Sequence, residues 1–180
     1  VGSEMCIRDS LFTPRAAQEG AMPKYSVTLL IPKSDKATIQ KIKAAMDEAK
    51  SKFIASNSGK KLPTNLKNTL HDGDGERPNG GEFGEECKGC YVITVSSNNK
   101  PVIVNADKTP LTDPQELYSG CYGRAIINFY VYDTQGNKGI SAGLNGVMKL
   151  YDGEPLGGGV VTDADWDDDW EDDTDDGLLD

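Results

Sequence analysis

Cys121-Tyr-Gly-Arg-Ala-Ile-Ile-Asn-Phe-Tyr-Val-Tyr-Asp133 decides the fold. Successive side chains of an extended strand point to opposite faces, so the stretch sorts into two rows. Cys121, Gly123, Ala125, Ile127, Phe129 and Val131 form a small, apolar row suited to a barrel interior. Tyr122, Arg124, Ile126, Asn128, Tyr130 and Tyr132 form the other. Thr134-Gln-Gly-Asn-Lys-Gly139 is a turn, and residues 140–150 are expected to return as the partner strand.

Upstream, Cys90-Tyr-Val-Ile-Thr-Val-Ser96 and Pro101-Val-Ile-Val-Asn105 read as two short strands joined across residues 97–100. Lys24-Tyr-Ser-Val-Thr-Leu-Leu-Ile31 is another strand, stopped by Pro32. Ser34 or Asp35 then caps a helix running to about Ala55. Its apolar stripe is Ile39, Ile42, Ala45, Met46, Ala49 and Phe53, with most lysines on the opposite, solvated surface. Residues 57–86 are loop-rich and contain the turn cluster Asp72-Gly-Asp-Gly-Glu-Arg-Pro78. The fold expected is mainly β with one inserted helix (α+β), an OB-fold-like Greek-key barrel.

The two ends stand apart from this body. Val1-Gly-Ser-Glu-Met-Cys-Ile-Arg-Asp9 matches the translation of a common transposase sequencing adapter, residue for residue. Residues 1–10 are therefore expected to be an adapter artefact, with the true N-terminus missing. The first strand would then be truncated to a stub at Leu11-Phe12, followed by an irregular loop. Gly157-Gly-Gly159 ends the domain, assigned to residues 11–158, and residues 159–180 form an acidic tail too repulsive to fold alone.

The formal net charge of -10 is the tail's doing. Eleven of the 29 acidic residues fall within residues 163–180, where there is no Lys or Arg. What remains is near neutral, with ten lysines in residues 24–67 against Asp35, Asp47 and Glu48. A flexible polyanion tethered near a cationic groove competes with nucleic-acid phosphates at a high local concentration. Trp166 and Trp170 offer rings that can mimic stacked bases, and Leu178, Leu179 and Asp180 form an apolar hook with a carboxylate. A solubility tail without partners is the plainer alternative.

No enzyme signature accompanies these features. Cys87-Lys-Gly-Cys90 has metal-ligand spacing, and His71 with Cys121 would complete a zinc site. No second CxxC exists, so unrelated cysteines are the preferred reading and neither metal nor cofactor is assigned. Asp72-Gly-Asp-Gly-Glu starts like a calcium loop, but Arg77 and Phe83 occupy the positions that need Gly and Glu. A P-loop, a nucleophile elbow and a paired-His helix are all missing. No stretch approaches the length of a membrane span.

The row of tyrosines with an arginine is a surface that stacks bases and neutralises phosphates. Packing against a second core or an oligomer partner is the competing use of such a row, and a homodimer is left open.

The chain resembles a family of tailed-phage single-stranded DNA-binding proteins, once catalogued as a domain of unknown function. The carrying segments are Pro14-Arg-Ala-Ala17, Pro23-Lys-Tyr-Ser-Val-Thr-Leu-Leu-Ile-Pro-Lys-Ser-Asp35 and Asp72-Gly-Asp-Gly-Glu-Arg-Pro78. Asp113-Pro114, Leu117-Tyr-Ser-Gly-Cys-Tyr-Gly-Arg-Ala125, Asn128-Phe-Tyr130 and Asn137-Lys-Gly139 follow, then Gly143-Leu-Asn145 and Lys149-Leu-Tyr-Asp-Gly-Glu-Pro-Leu-Gly157. The resemblance implies an OB-fold that binds single-stranded DNA in phage replication or recombination, in the host cytoplasm and without catalysis. It also implies a tail that restrains DNA binding and recruits replication or recombination proteins.

The expected DNA surface is Lys24, Tyr25, Lys33, Arg77, Tyr91, Lys100, Tyr122, Arg124, Tyr130, Tyr132, Lys138 and Lys149. Two rival classes are a protein-interaction module or DNA mimic acting through the tail, and a metal-dependent nuclease or recombination enzyme. For the nuclease, no carboxylate cluster within the fold argues.

Overall fold

A computed structural model describes residues 22–57, 61–134 and 136–156, together with the backbone of Met5–Arg8. Seven strands and one helix run in the order β1 (Met5–Arg8), β2 (Tyr25–Pro32), α1 (Lys36–Ser56), β3 (Leu70–Asp72), β4 (Cys90–Ser97), β5 (Val102–Val104), β6 (Tyr122–Thr134) and β7 (Asn137–Tyr151). The sheet is ordered β3-β4-β2-β1-β6-β7-β5. It curls until β4 meets β7 through a single parallel bridge, Ser96↔Gly143. The fold is thus OB-like, mostly β with one helix, and its sheet is not fully closed.

Alternation decides which side chains fill the interior. Val27, Leu29 and Ile31 of β2, Ile93 and Val95 of β4, and Ala125 of β6 are buried in one cluster. Each fully buried side chain of this size stabilises by about 1.5–3 kcal/mol relative to exposure. β7 keeps Ile140, Ala142 and Leu144 inward, then carries Asn145 as an extra residue between the pairs Ile127↔Leu144 and Ile126↔Gly146. That bulge restores phase, so Val147, an odd number of positions beyond Leu144, also faces the core.

The Asp35 carboxylate caps α1 by accepting from the Thr38 N–H at 3.1 Å. Ile39, Ile42, Met46 and Ala49 then bury the expected stripe against the barrel. A smaller cluster of Leu30, Cys87 and Val92 lies on the other side of β2 and β4, covered by Phe83, Cys90 and Leu156.

Two expectations change. Met5–Arg8, set aside as adapter-derived, occupies the strand position between β2 and β6, with Cys6↔Leu30 on one side and Met5↔Gly123 on the other. The flanking strands present backbone N–H and C=O groups there, and any extended segment can satisfy them whatever its side chains. The strand position between β2 and β6 is thus filled by residues 5–8. The stretch taken as loop-rich also contains β3, which pairs with β4. The Leu11-Phe12 stub, the Gly157–159 run and the tail lie outside the described residues.

Candidate nucleic-acid interface

β6 and β7 pair over their whole length, and this register builds the outer face. Arg124, Ile126, Asn128 and Tyr130 are exposed, Tyr132 half-buried, and the alternate residues turn inward. Arg124 faces Met148, but beyond it β7 presents almost no side chain: Ile126 faces Gly146, Asn128 faces Gly143, Tyr130 faces Ser141 and Tyr132 faces Gly139. The β6 side chains therefore lie down over bare backbone. A Cβ added at Gly139 would come within 2.6 Å of the Tyr132 hydroxyl, and one at Gly143 within 2.7 Å of Asn128 Oδ1. The result is a flat strip carrying a cation, an amide and two tyrosines.

Clefts open at both ends of the strip. One of about 400 Å³ is lined by Arg124, Ile126, Val102 and Met148. The other, about 620 Å³, lies between the last turns of α1 and β6 and is lined by Lys52, Phe53, Phe129 and Tyr130. Lys52 and Phe53 escaped the sequence reading because helical periodicity gave Phe53 to the apolar stripe and Lys52 to the solvated surface, and only tertiary packing sets both beside Tyr130.

The remaining expected residues are scattered. Tyr25 shares the inward face of β2 with Val27 and Leu29, and Tyr91 packs against the main core. Lys33 Nζ lies 5.5 Å from the Tyr91 ring centroid and is paired with Asp72 at 2.5 Å and Asp74 at 2.6 Å. Those hydrogen bonds hold the Lys33 pKa above its ordinary value and both carboxyls below theirs. Two carboxylates already neutralise this lysine, which leaves little charge for a phosphate.

Tyr122 stacks on Tyr151 with centroids 4.9 Å apart. Lys149 is mostly buried, 2.7 Å from Asp152 and with its Nζ 5.6 Å from the Tyr118 ring centroid. Burial pulls the Lys149 pKa down, yet Asp152 holds it above its ordinary value. Lys138 pairs loosely with Asp133 at 3.8 Å. Lys24 and Lys100 are exposed. Arg77 lies apart, over Phe83 in the loop between β3 and β4.

Cys87 lines one cleft with His71, but Cys121 does not join them. Cys121 is buried in the barrel core, whereas Cys87 belongs to the second cluster. Among the described residues no group of three or more His, Cys, Asp or Glu could hold a metal ion. No helix among them is long and apolar enough to cross a membrane. Trp166, Trp170, Leu178, Leu179 and Asp180 lie outside the described residues.

Comparison with known proteins fits this geometry. The family described as "Enterobacter phage Enc34, ssDNA-binding protein" matches residues 8–178. This chain belongs to that family. The match begins at Arg8, the last residue of β1, and runs through most of the acidic tail. Protein p50 of Acyrthosiphon pisum secondary endosymbiont phage 1 is 32% identical over 165 residues, covering 88% of this chain and 86% of the relative. The single-stranded DNA-binding protein of bacteriophage Enc34, solved in complex with single-stranded DNA, superposes with a TM-score of 0.70. It is 30% identical over 86% of this chain and 87% of its own. The single-stranded DNA-binding protein gp2.5 of bacteriophage T7 shares the fold, with a TM-score of 0.55, 13% identity, and 98% and 96% of the two chains covered.

Proposed function

We propose that this chain is a non-catalytic phage protein that binds single-stranded DNA along the outer face of the β6–β7 hairpin. The observation that carries the proposal is the glycine-backed strip. Asn128, Tyr130 and Tyr132 lie over Gly143, Ser141 and Gly139, with Arg124 further along the same row. Stacking on tyrosine is tolerant of sequence because every base has a π face, and Arg124 supplies charge for phosphate. Lys138 at the hairpin end and Lys52 beside Tyr130 flank the strip, each in an exposed ion pair, with Asp133 at 3.8 Å and Glu48 at 2.7 Å.

The acidic tail restrains binding and recruits replication or recombination proteins in the host cytoplasm. Its length and charge support this reading. So does Leu156, the last described residue, which packs against Leu30, Cys87 and Val92 beside the loop that carries Arg77. A polyanion rooted there is within reach of a basic face.

Anisotropy of a labelled oligothymidine strand, titrated over a range of salt with the full chain and with a form ending at Gly159, tests both parts. Tighter, salt-sensitive binding by the shortened form, with duplex DNA a poor competitor, is the expected outcome. Equal binding by the two forms removes the tail's restraint alone. No binding by either overturns the DNA reading and leaves an interaction module acting through the tail.

A further inference from the structure

The loop between β3 and β4 folds back over the outer face of β2 and β4 and forms a cleft distinct from the β6–β7 strip. Thr28 and Thr94 stand opposite each other in register there, hydroxyl oxygens 3.2 Å apart. Beside them lies a cleft of about 470 Å³, walled by His71, Arg77, Phe83 and Val92. Phe83 rests against the Leu30–Cys87–Val92 cluster. The Arg77 guanidinium carbon sits 5.5 Å from its ring centroid, and the His71 ring lies 6.4 Å away, inclined by 33°. Gly80 and Gly81, at φ +86° and +85°, tighten the turn in which the Arg77 N–H donates to the Gly81 carbonyl at 2.8 Å. The turn thus holds Arg77 over the ring.

We propose that this cleft is a nucleobase subsite: one unstacked base of a single strand rests on the Phe83–Arg77 pair, with Thr28, Thr94 and His71 presented to its edge. This rests on the DNA-binding reading above and adds to it a place where a base leaves the β6 face. Three features point to such a ligand. The cleft combines a π surface and a cation, which together stack bases and meet phosphate. Its hydroxyls and imidazole both donate and accept, as a base edge requires. None of the described residues lining it is a carboxylate, whereas Asp74 and Glu82 line the separate hollow on the other side of Phe83. Burial lowers the His71 pKa, which keeps the imidazole neutral and both nitrogens distinct near neutral pH.

Phe83→Leu in the full chain removes the π face while keeping apolar bulk against Leu30 and Val92. Oligothymidine affinity is expected to fall about fivefold to tenfold, with the salt slope and thermal midpoint unchanged. Arg77→Gln is expected to weaken binding and reduce the salt slope by about 0.7. An independent readout on the unaltered chain is photocrosslinking of an iodouracil-bearing oligothymidine, with the adduct mapped by mass spectrometry to the peptide containing Phe83. Unchanged affinity in both variants, with adducts confined to the β6 tyrosines, overturns the subsite and leaves DNA binding standing. No oligothymidine binding by the unaltered chain at any salt overturns both.

Discussion

Asn128 of β6 lies directly across from Gly143 of β7, and its Oδ1 occupies space that any larger residue would need, 2.7 Å from an added Cβ. The contact is with the far end of a side chain that can swing away. Gly143→Ala is therefore expected to displace Asn128 outward, roughening the strip without unfolding the hairpin. Oligothymidine affinity should drop severalfold while the unfolding free energy from denaturant titration stays within about 0.5 kcal/mol of the parent. Gly139→Ala supplies the contrast. Its Cβ would meet the Lys67 carbonyl at 2.9 Å as well as the Tyr132 hydroxyl. Lys67 bonds to β7 through Lys138 and Ile140, so this backbone cannot give way locally. A loss of about 1–3 kcal/mol in stability is expected there.

The tyrosines of the strip separate by their neighbours. Tyr130 is 46% exposed, so Tyr130→Leu should leave stability nearly unchanged and cost about 5- to 100-fold in affinity for a single strand. Tyr122 stacks on Tyr151, and Tyr122→Leu should cost about 0.5–1.5 kcal/mol of stability. Chemical denaturation and DNA anisotropy, read on both variants, check the split.

Acid stability should fall in two stages. Burial lowers the His71 pKa from an ordinary 6.5, so the unfolded chain takes up that proton first. Stability from this source is complete above about pH 6.5 and is lost as pH falls from there through the lower folded-state value. Asp72 and Asp74 are held below an ordinary 3.8, chiefly by hydrogen bonds to Lys33. Their contribution is complete above about pH 4 and is lost below it. His71→Gln should remove the upper stage and Lys33→Met should diminish the lower, to which Glu48, Asp107 and Asp152 also contribute, both visible as changes of slope in the thermal midpoint against pH.

How much of this was legible in the sequence follows from how far each signal is local. β6 and its turn declared themselves through a period of two sustained over thirteen residues. The α1 stripe did the same at its own period, with Asp35 as its cap. The same alternation places Tyr25 with Val27 and Tyr91 with Ile93, on inward faces. Residue type outweighed that parity when both tyrosines were grouped with the outer face. β3 is only three residues long, too short for any period to show. The charge state of Lys33 depends on Asp72 and Asp74, some forty residues away. The role of Phe83 depends on a loop folding back over β2. The four residues of β1 pair by backbone alone, which side-chain chemistry does not report.

Arg124 and Lys149 occupy adjacent, antiparallel strands and were grouped as phosphate contacts, yet their burial predicts opposite outcomes. Arg124 is exposed at the mouth of the cleft with Ile126. Arg124→Gln should weaken oligothymidine binding and lower the slope of log affinity against log salt by about 0.7, the value for releasing one counterion from a single strand. Its stability should stay within about 0.5 kcal/mol of the parent. Lys149 has a side chain only 14% exposed, fixed between Asp152 and the Tyr118 ring. The Tyr118 hydroxyl in turn donates to the Gly153 carbonyl at 2.8 Å, so this group ties the segment after β7 to the loop before β6. Lys149→Met should loosen that tie, costing about 1 kcal/mol, while the salt slope stays that of the parent. A fall in the slope for Lys149→Met equal to that for Arg124→Gln would mean that Lys149 leaves Asp152 to meet DNA, and the phosphate-contacting surface would then extend past the hairpin to Tyr118.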